Sequence, residues 1–467
     1  MAARVFILAN PFPYGTTVGV HRTAGLCRHL AARGWDVTVI ASRPAAGSPA
    51  GEHLPAAIPP ELRVLTTAGP DLPRIAAQLF RRHASRPPAA PGDAADPSAC
   101  PSPSRQSPLR WLVDWSSWWL HVPDGRTGWL APAVAAGIAR ARRARPDVIY
   151  ASGPPWTNHL AAAALSSLLG AAFVADFRDP WFGSAWRRMP YAAHRRVDGL
   201  LERIVVRRAR AITCAWDGIR RHLARRYPQS AGRMLTVLNG FDPEQIDPVE
   251  PARLADDRCV LLHAGTFYGP RSPLPLLEGM AILKSDSPRL AGKLLAALMG
   301  WPTYDAVPLA DLVARHGADG MVRVLPARSH RGAMAALKGA DVALLFGQSD
   351  SAALASVPAK AYEFIGAGKP VLAIGAGDEA TAILRRGGCR LWCAAGPREV
   401  AAALKEIALE YGRGAISAPV DPAARAAFTR QRMAARLERV LRAAAEAPLG
   451  RAAGTKLAQA AGCVTPG

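Results

Sequence analysis

Val357-Pro358-Ala359-Lys360-Ala361-Tyr362-Glu363-Phe364-Ile365-Gly366-Ala367-Gly368-Lys369-Pro370-Val371 reads as a loop, a short helix, a glycine turn and the start of a strand. Pro358 suits the first turn of a helix, where its missing N–H would have no partner anyway. Gly366 and Gly368 supply the permissive backbone that closes the helix. Lys369-Pro370 then feeds the apolar run Val371–Ile374. One carboxylate, Glu363, sits in this otherwise apolar helix, beside the turn and at the mouth of the strand. Open α/β sheets bind ligands in the crevice at the carboxyl ends of their strands. Glu363 is therefore either a ligand contact or a solvated helix residue.

Outward from this stretch the same alternation recurs. Toward the amino end lie strands at 260–265, 294–299, 322–325 and 342–346, separated by helices at 273–284, 309–317 and 331–339. A helix at 379–386, a strand at 390–393 and a helix at 400–411 follow, and a last helix is expected over 422–445. The first half repeats the scheme. Val5–Ala9 is a strand, Asn10–Gly19 a glycine-containing loop, His21–Arg33 a helix and Trp35–Ile40 the next strand. Strands separated by helices of this length imply parallel sheets. The Gly15/Gly19 loop opens a helix, a placement suited to holding an anion. Its spacing is not that of the dinucleotide fingerprint.

Three stretches stand out further. Residues 82–108 are dominated by Pro, Ala, Ser and Arg, and are expected to be a disordered insertion or a long surface loop. Trp111 to Leu120 carries Trp111, Trp115, Trp118 and Trp119, which fits either a core helix or an interfacial patch touching lipid. Ala172–Trp181 is a strand ending in Asp176-Phe177-Arg178-Asp179, two aspartates around an arginine, as a site or a salt-bridged loop would have. Thr157 is a plausible cap for a helix at 158–169. His159 in that helix reads as a packed residue.

Composition bounds the function. The chain has 467 residues, 50% of them hydrophobic, enough for two or more cores. Its formal net charge of +22 favours anionic partners: phosphorylated small molecules, an anionic membrane face or nucleic acid. The arginine-rich helices (Arg195, Arg196, Arg203, Arg207, Arg208) carry no interleaved aromatic platform, which argues for a membrane-facing or solvated surface over nucleic acid. The seven scattered cysteines form no metal pattern and read as reduced thiols in a cytosolic protein. The longest apolar run, 160–175, is broken by Ser166-Ser167 and Gly170, so any membrane contact is expected to be peripheral.

In order and spacing, several of these motifs resemble the GT-B glycosyltransferases of the family 4 type. They are the Gly15/Gly19 loop with His21-Arg22, Pro123-Asp124 with Gly128-Trp129, Asp147–Tyr150, Ala175–Trp181, Asn239–Asp242, Gly265-Thr266 and Pro358–Glu363. The resemblance implies an α/β GT-B fold: two Rossmann-like doubly wound domains facing across a cleft, with a C-terminal helix crossing back to the first. Its implied boundaries are an acceptor-binding domain at 1–238, a nucleotide-sugar-binding domain at 239–421, the crossing helix at 422–445 and a disordered tail at 446–467.

The implied function is transfer of a sugar from a nucleoside-diphosphate sugar to a glycan or lipid-linked acceptor in cell-surface polysaccharide or glycolipid synthesis. It would be retaining, without a bound metal or cofactor, and located in the cytoplasm or at the inner face of the plasma membrane. Glu363 would bind the donor ribose, since a carboxylate can accept two hydroxyl protons. Gly15, Gly19, Gly265, Thr266, Arg271 and Lys360 would serve the diphosphate. Thr266 and Arg271 stand where the family often has Arg and Lys, and Ala355 stands where it has a sugar-binding Glu. Asp350 or the backbone of Ala353–Ser356 would then supply the sugar contact. Arg178 aligns where some relatives have a His. Asp179, with Asp176 as alternate, would contact the acceptor hydroxyl. A nucleotide-sugar epimerase of the same fold is the second reading, and a basic nucleic-acid-binding protein a remote third.

Overall fold

The structure, a computed structural model, describes residues 2–13, 18–43, 59, 61–75, 115–183, 189, 191–269, 271–347, 357–416 and 421–446. The expectations for 82–108, for the tail beyond 446, and for Gly15, Trp111, Asp350 and Ala353–Ser356 all lie outside these residues. The chain forms two compact units, Met1–Leu238 with Met433–Gly467, and Asn239–Arg432.

The first unit holds seven parallel strands: β1 (Arg4–Leu8), β2 (Asp36–Ser42), β3 (Arg63–Thr67), β4 (Val148–Gly153), β5 (Ala172–Phe177), β6 (Ala211–Cys214) and β7 (Met234–Thr236). Their order is β3-β2-β1-β4-β5-β6-β7, the reversal at β1/β4 marking a doubly wound sheet. β1, β4 and β5 are largely apolar and buried along almost their whole length because parallel strands are covered on both faces. The last helix, Arg430–Glu446, brings Met433, Leu437, Val440, Leu441 and Ala444 into this core beside Val5, Ile7 and Leu30. Its spacing of three and four residues aligns those side chains on one stripe. Opposite them, Glu438 accepts from Trp35 Nε1 at 3.1 Å and pairs with Arg442.

The second unit holds β8 (Cys259–Ala264), β9 (Leu294–Gly300), the hairpin β10 (Thr303–Tyr304) and β11 (Val307–Pro308), β12 (Val322–Pro326), β13 (Val342–Phe346), β14 (Val371–Ile374) and β15 (Leu391–Ala394). Six of them pair in parallel in the order β12-β9-β8-β13-β14-β15. Leu261, Leu277, Met280, Leu294, Leu344 and Leu404 share its core.

Two expectations change. The helix anticipated over 422–445 is two helices, Pro422–Ala426 and Arg430–Glu446. Between them the backbone bridges to Phe241, whose N–H donates to Phe428 O and whose carbonyl accepts from Arg430 N at 2.7 Å. An extended bridge cannot be helical, so the helix breaks there. Thr157 is not a cap but the first helical residue. Its N–H and Oγ1 both donate to Asp124, which caps the helix from a distant loop. β3, the helix Leu130–Ala141 and the β10–β11 hairpin have no counterpart in the pattern read from sequence.

Candidate functional site

In the second unit the chemistry gathers where β8 ends. The helix Lys360–Ala367 follows Pro358-Ala359 and closes on Gly368 in the left-handed conformation, φ 64°. Pro358 lies just ahead of the helix and accepts from Ala361 N. Lys360 and Glu363 occupy the first turn. Lys360 folds over Gly265, where a β-carbon would lie 2.8 Å from Lys360 Cε and 3.3 Å from Nζ. Gly300, at the end of β9 with φ 152°, closes on the same point; a β-carbon there would sit 2.7 Å from the Gly265 carbonyl carbon. Glycine at these positions lets an ammonium and two strand ends share one corner.

His263, on β8, is buried beneath that corner. Its Nδ1 lies 3.3 Å from Leu344 O, while Nε2 has no hydrogen-bond partner among the described residues. Burial first, and the positive charge of Lys360 second, push its pKa down to about 3, so the imidazole is neutral. Phe267 and Phe346 enclose the ring. Beyond Gly265-Thr266 the loop turns back, and Arg271 Nη1 donates to the Tyr268 hydroxyl at 2.7 Å. The Tyr304 hydroxyl holds Gly269 O at 3.0 Å.

Glu363 is half-buried and forms no hydrogen bond or ion pair with any described residue; the same is true of Lys360. A carboxylate and an ammonium one turn apart, neither engaged, are both available to a ligand. The structure thus brings Gly265, Thr266, Lys360 and Glu363 to one edge of one sheet, with Arg271 on the adjoining loop. His263, which sequence reasoning passed over, joins them. Its polarity in an otherwise apolar strand was the only available signal.

In the first unit Asp176 is at the centre, fully buried on β5. Ser152 on β4 and Thr213 on β6 are its register partners and both donate to it, at 2.8 and 2.6 Å. Arg22 reaches it in a fork, Nε to Oδ2 at 2.9 Å and Nη2 to Oδ1 at 2.8 Å, and donates also to Val237 O. Burial pushes the Asp176 carboxyl up, but Arg22, Thr213 and Ser152 outweigh it and hold the pKa at about 2. With both oxygens occupied inside the protein, Asp176 organises the strand ends.

Arg178, two residues on, points to the same face. Its Nη1 donates to Ser152 Oγ at 2.9 Å and its Nη2 to Pro154 O. Its guanidinium lies against Gly19, where a β-carbon would be 2.7 Å from Nη1. Gly19 is inside the helix Val18–Ala32 rather than in the preceding loop, and its bare face admits Arg178. Asp179 follows just beyond the strand and is half-buried.

His159 is buried below, Nε2 3.2 Å from Ala151 O and 3.1 Å from Asp176 O. Burial lowers its pKa to about 4. Of the 111–119 cluster, Trp115 and Trp119 pack on each other and on His194, with ring centroids of Trp119 and His194 4.1 Å apart, while Trp118 packs on His121. Among the described residues no helix is long and apolar enough to cross a membrane. No group of three His, Cys, Asp or Glu side chains among them is placed to hold a metal ion. Cys27, Cys214, Cys259, Cys389 and Cys393 are free thiols.

Residues 97–245 match the model of Glycosyltransferase Family 4. A D-inositol 3-phosphate glycosyltransferase from Catenulispora acidiphila is 29% identical over 171 residues, which span 34% of this chain and 39% of that relative. Among solved structures, the sucrose-phosphate synthase of Thermosynechococcus elongatus superposes with TM-score 0.59 at 14% identity, covering 94% of this chain and 98% of that one. Anabaena HepE, solved with UDP and glucose, gives 0.56 at 13% identity over 94% and 99%. The trehalose 6-phosphate synthase of Burkholderia multivorans gives 0.59 at 12% identity over 98% of each chain. At these identities the superpositions establish the fold, which is GT-B.

Proposed function

We propose that this chain, a GT-B protein of the glycosyltransferase family 4-like type, transfers a sugar from a nucleoside-diphosphate sugar to a hydroxyl of a glycan or lipid-linked acceptor. The observation that carries the reading is Lys360 and Glu363 on one helical turn, unengaged by described residues, with Lys360 over Gly265. Glu363 accepts the ribose hydroxyls. Lys360 and Arg271 meet the diphosphate, with the amides of the Lys360 helix. Neutral His263 beneath adds no charge of its own and so no repulsion toward the Lys360 ammonium. The bound ligands of HepE, UDP and glucose, accord with a nucleotide-sugar donor.

In the reaction the acceptor oxygen bonds to the anomeric carbon as the bond from that carbon to the diphosphate oxygen breaks. The acceptor proton passes to the departing phosphate. Charge grows on the leaving diphosphate, and Lys360 and Arg271 stabilise it as it forms. This route needs no metal, and the attack comes from the face the phosphate leaves, so configuration is retained. In the first unit Asp179 is assigned to the acceptor hydroxyl. Arg178 is held at the first turn of the Val18–Ala32 helix to oppose negative charge. The setting is cell-surface polysaccharide or glycolipid synthesis in the cytoplasm, at an anionic membrane face that the arginine-rich Ala192–Arg208 helix would meet.

The experiment is a screen of UDP-, GDP- and ADP-sugars with glycan and lipid-linked acceptors, scored by release of the nucleoside diphosphate. Release that needs an acceptor, and that Lys360→Ala and Glu363→Ala both depress, supports the reading. Donor conversion without acceptor would replace transfer with epimerisation or hydrolysis.

A further inference from the structure

A cavity lies at the other edge of the second sheet, at the amino ends of β13 and β14. It encloses about 390 Å³ and is lined by Arg253, Lys338, Asp341, Lys369, Pro370 and Tyr411, among others. That volume suits a small metabolite. Three cations face one carboxylate. Asp341 is already engaged, accepting from Val260 N at 2.8 Å, with Arg253 at 3.8 Å.

The hydrogen bonds of the two lysines go to backbone carbonyls, and Asp341 supports the Lys369 charge only at longer range. Lys369 Nζ donates to Lys338 O and Ala340 O, each at 2.7 Å. Lys338 Nζ donates to Asp247 O at 3.0 Å and Ile246 O at 3.3 Å. An ammonium has three donors, so each keeps one N–H. Neither forms an ion pair with a described residue. A capping lysine explains two carbonyl contacts. It does not explain two ammoniums and a guanidinium converging on one concave space whose lining carboxylate, Asp341, is engaged, with Arg253 also meeting Asp256 at 3.5 Å. Partly buried cations of this kind are stabilised by an anion.

We infer that this cavity binds a small phosphorylated metabolite, its phosphate among Arg253, Lys338 and Lys369 and its body against Pro370 and Tyr411. The site is separate from the proposed donor site, which lies at the carboxyl ends of the strands, and the inference stands without it.

The test is hydrogen–deuterium exchange on the full chain with inorganic phosphate or phenyl phosphate, against sodium chloride at equal ionic strength. The expected result is slower exchange in segments 338–341 and 368–370 with either phosphate and not with chloride, and phenyl phosphate also protecting 411–416. Arg253→Ala, at a half-exposed position, should raise the half-saturating phosphate concentration about tenfold, as loss of one charge-assisted contact implies. Lys338→Met should do the same, and if it does not fold, Arg253→Ala decides. Lys360→Ala should leave the protection unchanged. Equal protection by chloride, protection indifferent to Arg253→Ala, or protection lost in Lys360→Ala would each overturn the assignment.

Discussion

Lys360 lies over Gly265 so closely that any side chain at 265 would occupy the space of its ε-carbon. The ammonium position is therefore set by a residue on another strand end, ninety-odd positions earlier in sequence. Gly265→Ala is expected to displace Lys360 and to weaken nucleoside-diphosphate binding without unfolding the sheet. Lys360→Ala should weaken it comparably, roughly ten- to a hundred-fold for one charge-assisted contact. Isothermal titration with nucleoside diphosphates checks both. If Gly265→Ala binds like the parent, the packing constraint is not functional.

The Arg22–Asp176 fork is buried on both sides. Removing one partner leaves the other charged and enclosed, at a cost of about 3–5 kcal/mol. Arg22→Ala and Asp176→Asn should both lower the melting temperature sharply. Arg22→Lys should recover little, because an ammonium cannot reproduce the fork. Thermal melts of the three variants test this, and near-parental stability in Arg22→Ala would contradict it.

Gly19→Ala drives a methyl into the Arg178 guanidinium. Overpacking of this kind costs about 1–3 kcal/mol. The variant should be less stable by that order and also impaired in sugar transfer, since Arg178 must move. The double variant Gly19→Ala with Arg178→Ala should regain stability but not transfer. Failure to regain it would show that the methyl meets something other than Arg178.

Acid should destabilise the protein through its buried histidines. His159 and His263 have folded pKa values near 4 and 3, below the ordinary histidine value of 6.5. Groups with depressed pKa bind fewer protons folded than unfolded. Their contribution is intact above pH 6.5 and is lost as pH falls toward those values. Each adds a slope of up to about 1.4 kcal/mol per pH unit in that window. His159→Gln should flatten the fall in melting temperature between pH 6.5 and 4. An unchanged slope would mean that His159 titrates normally.

Much of the architecture was legible because parallel strands write themselves as apolar runs. β13 matches its expected bounds, Val342–Phe346. β3 was not legible, since at a sheet edge its residues Arg63–Thr67 are only partly buried and lack a continuous apolar run. The break at 427–429 was hidden because it is imposed by pairing with Phe241, almost two hundred residues away. For the site, residue types at strand ends pointed to Glu363 and Arg178, and Lys360 came only with the family resemblance. The role of Arg22 was not readable, since only cross-strand register places Ser152, Asp176 and Thr213 side by side for it to cap. Asp176 drew notice as a charge at a strand end, yet its burial makes it an organiser, which charge pattern alone cannot distinguish from a contact with substrate.

The measurement that tests the central claim most directly is a thermal-shift titration of nucleoside diphosphates and their sugars against the parent chain and Glu363→Ala. Ligand that binds only the folded state stabilises it by mass action, roughly 2.7 kcal/mol at a hundred times Kd. The parent should show a saturable rise in melting temperature with at least one nucleoside diphosphate, and Glu363→Ala, equally folded, should show none. A full shift retained in Glu363→Ala would contradict the assignment of this carboxylate to the donor ribose.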